Sequence, residues 1–208
     1  TPFLQELLVA MEASRRPRLP LRVFVCGGAA VPAELILRAG KRFAGYACRG
    51  YGATEAPFIT CGRRPDDPES IGASTDGRVN GYEIRIVDAG GRALARGGAG
   101  EIQVRGGSLF LGSSDPEATK AAFPSAGYFC PGDLGVLAAD DTLTITGRKK
   151  DLIIRGGENI YPREIEDVLH QHPLILEAAV VAAPCARLGE CVAAYVRTQD
   201  TFNLVRPT

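Results

Sequence analysis

The chain has 208 residues, enough to bury a sizeable core and to form one large or two small domains. Lys plus Arg and Asp plus Glu stand at 24 each, so no global field steers the protein toward nucleic acid or an anionic membrane. No apolar run approaches the about 20 residues of a membrane span, and no export signal opens the chain, which makes a cytoplasmic protein the expectation.

Phe3, Leu4, Leu7, Leu8 and Met11 recur at helical spacing and predict an amphipathic helix that stops before Pro17. Leu21 to Cys26 reads as a short strand, broken by Gly27-Gly28. A helix starts near Pro32, with Leu35, Ile36, Ala39 and Phe43 on its buried stripe. Tyr46 to Tyr51 is a second strand running into Gly52-Ala53-Thr54-Glu55. Strand, helix, strand is the pattern of a layered α/β sheet.

From about Ser70 the texture changes. Residues 82–87 and 101–105 alternate with period two, and Asp88-Ala89-Gly90-Gly91 and Gly106-Gly107 supply turns. Leu134 to Leu137 and Thr142 to Thr146 continue the pattern, predicting a small antiparallel barrel or sandwich. Leu152-Ile153-Ile154 then forms a buried strand, followed by a Gly156-Gly157 break. A helix over 163–171 with Ile165, Val168 and Leu169 inward precedes two strands, 177–183 and 190–198. Thr201 to Thr208 shows no closing element. The expected division is 1–75, an α/β domain; 76–147, a β-barrel-like subdomain; and 148–208, an incomplete α+β domain.

Six cysteines (Cys26, Cys48, Cys61, Cys130, Cys185, Cys191) form no CxxC pair and have only His170 and His172 beside them. They read as free thiols rather than zinc ligands.

Four motifs carry chemistry. Gly27-Gly28-Ala29 leaves a strand with bare backbone groups exposed, a turn that can pinch a flat base and bond its edge. Gly50 leads into Tyr51-Gly52-Ala53-Thr54-Glu55, where a ring can stack, a hydroxyl can donate to phosphate and a carboxylate can hold Mg²⁺. Gly132-Asp133 presents a carboxylate able to accept two ribose hydroxyls. Residues 147–158 combine a Gly turn, the charges Arg148, Lys149, Lys150 and Asp151, an apolar strand and the Gly156-Gly157-Glu158 turn, which is hinge chemistry because glycine absorbs large φ/ψ changes. Taken singly, each fits an ordinary turn or a solvated face.

Together, in this order and spacing, they resemble the motifs of the adenylate-forming (AMP-binding) superfamily in its acyl-CoA synthetase form. The resemblance covers Leu21 to Thr198. It implies that Gly27, Gly28 and Ala29 line the adenine and that Gly50, Tyr51, Gly52 and Ala53 flank the nucleotide. Thr54 would bind phosphate, Glu55 Mg²⁺, and Asp133 with Arg148 the ribose. Lys150 would be the hinge, and Gly156, Gly157 and Glu158 would line the pantetheine path. Pro131 and Tyr128 depart from the family's usual Thr and Trp, and Pro131 removes a donor and a hydroxyl. The implied fold is α/β plus a β-barrel and a small α+β domain.

The implied reaction joins a fatty or other organic acid to ATP with loss of pyrophosphate, then transfers the acyl group from AMP to coenzyme A. The phosphate loop ending in Pro-Lys-Gly and the distal lysine of that family are not among these residues, and no lysine follows Lys150. The expectation is an internal segment of a longer ligase, inactive by itself. A non-catalytic nucleotide-binding module and an enzyme loading a carrier protein are the alternatives.

Overall fold

A computed structural model describes residues 2–14, 18–29, 31–64, 66–124, 127–198 and 202–205, the last four as backbone only. The described elements fall into two compact units, Thr1–Pro131 with Gly135–Ile145, and Gly132–Leu134 with Thr146–Thr208.

In the first unit, helix α1 (Pro2–Ala13) buries Leu4, Leu8 and Met11. The predicted stop at Pro17 lies outside the described residues. Strand β1 (Val23–Cys26) pairs parallel with β2 (Tyr46–Ala53), from Val23 opposite Tyr46 to Cys26 opposite Arg49. The connection is α2 (Ala33–Arg42), whose Leu35, Ile36 and Ala39 pack with Phe43, Ala47 and the α1 residues into one core. This is the strand, helix, strand unit expected from the sequence.

The order of the first sheet is completed by β3 (Ala56–Cys61) and β4 (Arg78–Val79), both antiparallel to their neighbours, giving β1-β2-β3-β4. A short helix, α3 (Glu69–Ser74), lies between β3 and β4 in sequence. Neither β3 nor α3 was read from the sequence. In β3, Pro57 interrupts the apolar run and its burial does not alternate, so the period-two signal is missing.

The second sheet has the order β5-β6-β7-β8, from β5 (Glu83–Val87), β6 (Ala99–Arg105), β7 (Asp133–Leu137) and β8 (Leu143–Arg148). β5 and β6 are antiparallel, with Ile84 opposite Val104 and Ile86 opposite Ile102. Their inward residues join Ala56, Ile59, Phe129, Leu137 and Leu143 in a second core. The rings of Phe110, Phe123 and Phe129 meet at 5.3 to 5.8 Å in its wall. Helix α4 (Pro116–Ala122) begins where the Asp115 carboxylate accepts the Glu117 N–H at 2.9 Å. An isolated antiparallel bridge, Arg78 to Thr142, ties β4 to the β7–β8 connection. There the Arg78 guanidinium holds both oxygens of Asp67, at 2.8 and 2.6 Å, and also reaches the Asp140 carbonyl and carboxylate.

The second unit is a five-stranded sheet. Strands β9 (Ile153–Arg155) and β10 (Glu158–Ile160) form a hairpin, and β11 (Ile175–Cys185) and β12 (Gly189–Thr198) another. The order is β10-β9-β12-β11. A further strand, β13 (Phe202–Val205), pairs with β12, which corrects the expectation that nothing closes this end. Helix α5 (Pro162–Leu169) opens with proline at its first position, where no amide donor is needed.

Two inward assignments change. Val168 is 65% exposed, and Ile154 of β9 is exposed while Ile153 is fully buried. Instead of Val168, α5 turns Glu166 toward the sheet, and its Oε1 accepts the Val180 N–H at 2.8 Å. A polar residue satisfying a strand amide took the place that an apolar count had given to valine.

Candidate functional site

In the first unit, the glycine loop and the Tyr51 segment come together at one edge. β1 and β2 are parallel, so both chains leave the sheet at their carboxyl ends, the edge where open α/β sheets bind ligands. Gly27 lies directly on Gly50, and a Cβ at Gly27 would collide with the Gly50 carbonyl. Gly28 has φ of 80°, the left-handed region that favours glycine. Ala29 is exposed beside it.

Gly52 explains the shape of the hairpin that follows. Tyr51 pairs with Thr60 and Ala53 with Ala56, leaving Gly52 alone opposite Pro57, Phe58 and Ile59. β3 bulges outward there. A Cβ on Gly52 would stand 2.6 Å from the Phe58 nitrogen and 3.1 Å from the Ala56 carbonyl oxygen. Phe58 adopts φ of 52°, uncommon for a residue with a side chain, and its ring is exposed. Three bonds hold the bulge: Tyr82 Oη donates to the Pro57 carbonyl at 3.0 Å, Asn80 Nδ2 to the Phe58 carbonyl at 3.3 Å, and Asn80 N to the Ile59 carbonyl at 3.0 Å. Tyr51 N donates to Thr60 Oγ1 at 3.0 Å, and its half-buried ring packs against the second core. Thr54 is exposed in the turn, next to half-buried Glu55. The Glu55 carbonyl accepts the Phe110 N–H at 2.8 Å, which anchors the turn from the loop ahead of α4.

Sequence reasoning missed Asn80 and Tyr82 as supports of this edge. Asn80-Gly81 is a turn dipeptide that could have marked the segment. Nearby, Tyr128, standing where the resembled family has Trp, donates to the Glu83 carboxylate. The guanidinium of Arg85 lies 3.8 Å, and that of Arg105 4.7 Å, from its ring centre. The bond to Glu83, then burial, raises the Tyr128 hydroxyl pKa, and the same bond with Arg105 lowers that of Glu83.

In the second unit, Asp133 and Arg148 are brought together although fifteen residues separate them. Arg148 Nε lies 3.0 Å from Asp133 Oδ1, with the carboxylate almost fully buried and the guanidinium more than half exposed. Gly132, at φ of 79°, makes the turn before Asp133, and its carbonyl accepts the Lys149 N–H at 2.9 Å. The strand pair therefore presents a buried carboxylate beneath a partly exposed cation. Lys150 sits exposed on a single 3-10 turn, Lys149–Asp151, between β8 and β9. Gly156 (φ of 60°) and Gly157 (φ of 92°) form the β9–β10 turn, with Glu158 opposite Arg155. The Gly156 N–H donates to the Leu188 carbonyl at 2.9 Å.

Bare glycine backbone where β1 ends, a buried carboxylate at Asp133 and two consecutive positive-φ glycines later in the chain are the features that a family comparison can place. The chain belongs to the family of AMP-binding enzymes, which it matches over residues 1–113, and residues 164–206 match the AMP-binding enzyme C-terminal domain. It is similar to the medium-chain fatty-acid–CoA ligase of Escherichia coli, with 42% identity over 94% of this chain and 35% of that protein. Among solved structures, it resembles an amide bond synthetase from Marinactinospora thermotolerans (31% identity, TM-score 0.79, 99% of this chain and 46% of that one). It also resembles o-succinylbenzoate CoA synthetase from Bacillus subtilis in complex with its acyl-adenylate intermediate (30% identity, TM-score 0.78, 98% and 41%). The chain spans about a third of the length of the curated relatives it matches. Among the described residues, no helix is long and apolar enough to cross a membrane.

Proposed function

We propose that the chain is part of a cytoplasmic ATP-dependent acid–thiol ligase of the acyl-CoA synthetase type. A carboxylate attacks the α-phosphate of ATP and expels pyrophosphate, and the thiol of coenzyme A then displaces AMP from the acyl-adenylate. The observation that carries this reading is the contact of Gly27, just past the carboxyl end of β1, with Gly50 inside β2. The edge there is bare backbone, which a flat base can approach closely, and Tyr51 is next in the chain. The relatives' names support a ligase that uses coenzyme A.

Within this reading, Gly27, Gly28 and Ala29 border the adenine, and Thr54 donates to a phosphate from the exposed turn. Asp133 accepts the ribose hydroxyls, and Arg148 both steadies that carboxylate and faces the phosphate side. Adenylation is then chiefly positioning and charge stabilisation about the α-phosphate. Glu55 suits Mg²⁺, a hard cation that is usually held by one or two carboxylates together with substrate phosphates. The metal would neutralise developing charge on the phosphates. Lys150, on an exposed turn between β8 and β9, is the hinge residue of this reading, and Gly156-Gly157 lets a thin thiol arm pass close to backbone.

Calorimetric titration of the 208-residue chain with AMP tests the nucleotide site. Saturable binding that Asp133→Ala abolishes, with the circular dichroism spectrum unchanged, is the expected result. Binding that survives Asp133→Ala removes the ribose role, and absence of binding to the parent chain removes the nucleotide site from this segment.

A further inference from the structure

At the end of the β11–β12 hairpin, Cys185 pairs with Gly189 and Ala183 with Cys191. Cys185 and Cys191 are therefore diagonal neighbours on one face of the sheet. Both are half-buried free thiols, and their side chains hydrogen-bond each other. The backbone N–H groups of Leu188 and Arg187, in the turn, point at the Cys185 sulfur. These donors, Leu188 foremost, lower the Cys185 pKa against the opposing pull of burial, with help from Cys191 and the charge of Arg155. Cys48 has the opposite environment. Burial pushes its thiol up to about 11, which makes it inert.

We propose that Cys185 and Cys191 form an exchange site for small disulfides, with Cys185 attacking and Cys191 resolving. The Cys185 thiolate attacks one sulfur of a low-molecular-weight disulfide. A new S–S bond forms, the old one breaks, and the departing thiolate takes a proton from water. Cys191 then loses its proton to solvent and attacks the Cys185 sulfur, expelling the second small thiolate. The protein dithiol is oxidised by two electrons, and the small disulfide is reduced to two thiols.

The pair is mechanically tied to the β9–β10 turn. Leu188, in the connection between the two cysteines, accepts the Gly156 N–H at 2.9 Å, and Gly189 pairs with Arg155. Diagonal Cα atoms in an antiparallel pair lie about 7–8 Å apart, whereas a disulfide needs about 4.4–6.8 Å. Closing the bond draws the ends of β11 and β12 together and displaces Leu188 from Gly156. On the ligase reading, in which Gly156-Gly157 lines the thiol path, oxidation would hinder acyl transfer before adenylation.

The experiment treats the reduced 208-residue chain with oxidised glutathione at mildly alkaline pH and maps each cysteine by mass spectrometry. Cys185 and Cys191 should be lost together as an intramolecular disulfide, at least about tenfold faster than exposed Cys61 is modified. C191S should retain one glutathionyl group on Cys185, and C185S should leave Cys191 a free thiol over the same period. Modification of Cys61 ahead of Cys185, or a wild-type chain that keeps glutathione on Cys185 without the internal bond, overturns the proposal. Hydrogen exchange at the Gly156 amide should quicken on oxidation, and unchanged exchange refutes the coupling. These readouts need no nucleotide, so failure of the ligase reading would appear separately, in the AMP titration.

Discussion

Replacing Gly52 by alanine tests how the candidate nucleotide edge is built. The added Cβ would stand 2.6 Å from the Phe58 nitrogen, where ordinary contact begins at 3.4 Å. The two strands must therefore separate by about 0.8 Å, the difference between these distances. Both obstructing atoms, the Phe58 nitrogen and the Ala56 oxygen, are backbone, so no side-chain rotation relieves the clash. Overpacking of this kind costs about 2 kcal/mol. With a urea slope of about 2.5 kcal/mol/M, the unfolding midpoint of the first unit should fall by about 0.8 M, read by far-UV circular dichroism. The bulge at Phe58 would relax, Tyr51 would shift with its strand, and AMP affinity should fall about tenfold, the equivalent of about 1.4 kcal/mol. Gly40→Ala is the control. It lies within α2 with nothing within 4 Å of its Cβ, and should stabilise by about 0.5–1 kcal/mol. A Gly52→Ala chain with an unchanged midpoint and unchanged AMP affinity would refute the steric account of this edge.

Three further outcomes are expected. Gly157→Ala meets no atom within 4 Å but sits at φ of 92°, so its cost is conformational, about 1–2 kcal/mol in the second unit's unfolding, with AMP affinity untouched. The Asp67 carboxyl is held well below its ordinary 3.8 by hydrogen bonds from the Arg78 guanidinium and then the Arg64 backbone. Its stabilisation is present above that pH and drains away as pH falls. Asp67→Asn should lower the melting temperature at neutral pH, and the gap from wild type should narrow below about pH 4. Ile102→Ala, at a fully buried position in the second core, should cost about 2–5 kcal/mol by urea titration.

The parts of the fold legible in the sequence were those whose burial has a simple period. β5 buries Ile84 and Ile86 in alternation, and α1 and α2 keep one apolar stripe, so residues such as Ile84, Leu8 and Ile36 announce their own faces, whereas β6 buries Gln103 between Ile102 and Val104. β3 was hidden because its shape depends on a glycine in another strand: Pro57 and Phe58 bulge only where Gly52 gives them room. Helix α4 had a readable signal in Asp115-Pro116, a capping carboxylate before a proline, overlooked for want of an apolar stripe. On α5, an apolar count favoured Val168, but an unpaired strand amide at Val180 claimed Glu166 instead. The four motifs could be picked out as short segments, but singly each fitted an ordinary turn, and the roles assigned to them came from the family resemblance. The contact of Gly27 with Gly50 and that of Asp133 with Arg148 depend on strand pairing, which one sequence without its register does not supply.

The bracket made by Arg78 has a kinetic consequence. It joins Asp67, eleven residues before it, to Asp140, sixty-two residues after it. The β5–β6 pair lies wholly within that longer loop, which must close before the guanidinium can meet the second carbonyl. Contacts of this reach are expected to close last, after the local pairs have formed. Their loss therefore shows in how fast the chain comes apart, not in how fast it assembles. Arg78 thus acts as a clasp, setting the lifetime of the folded first unit and leaving its route of folding to the local pairs.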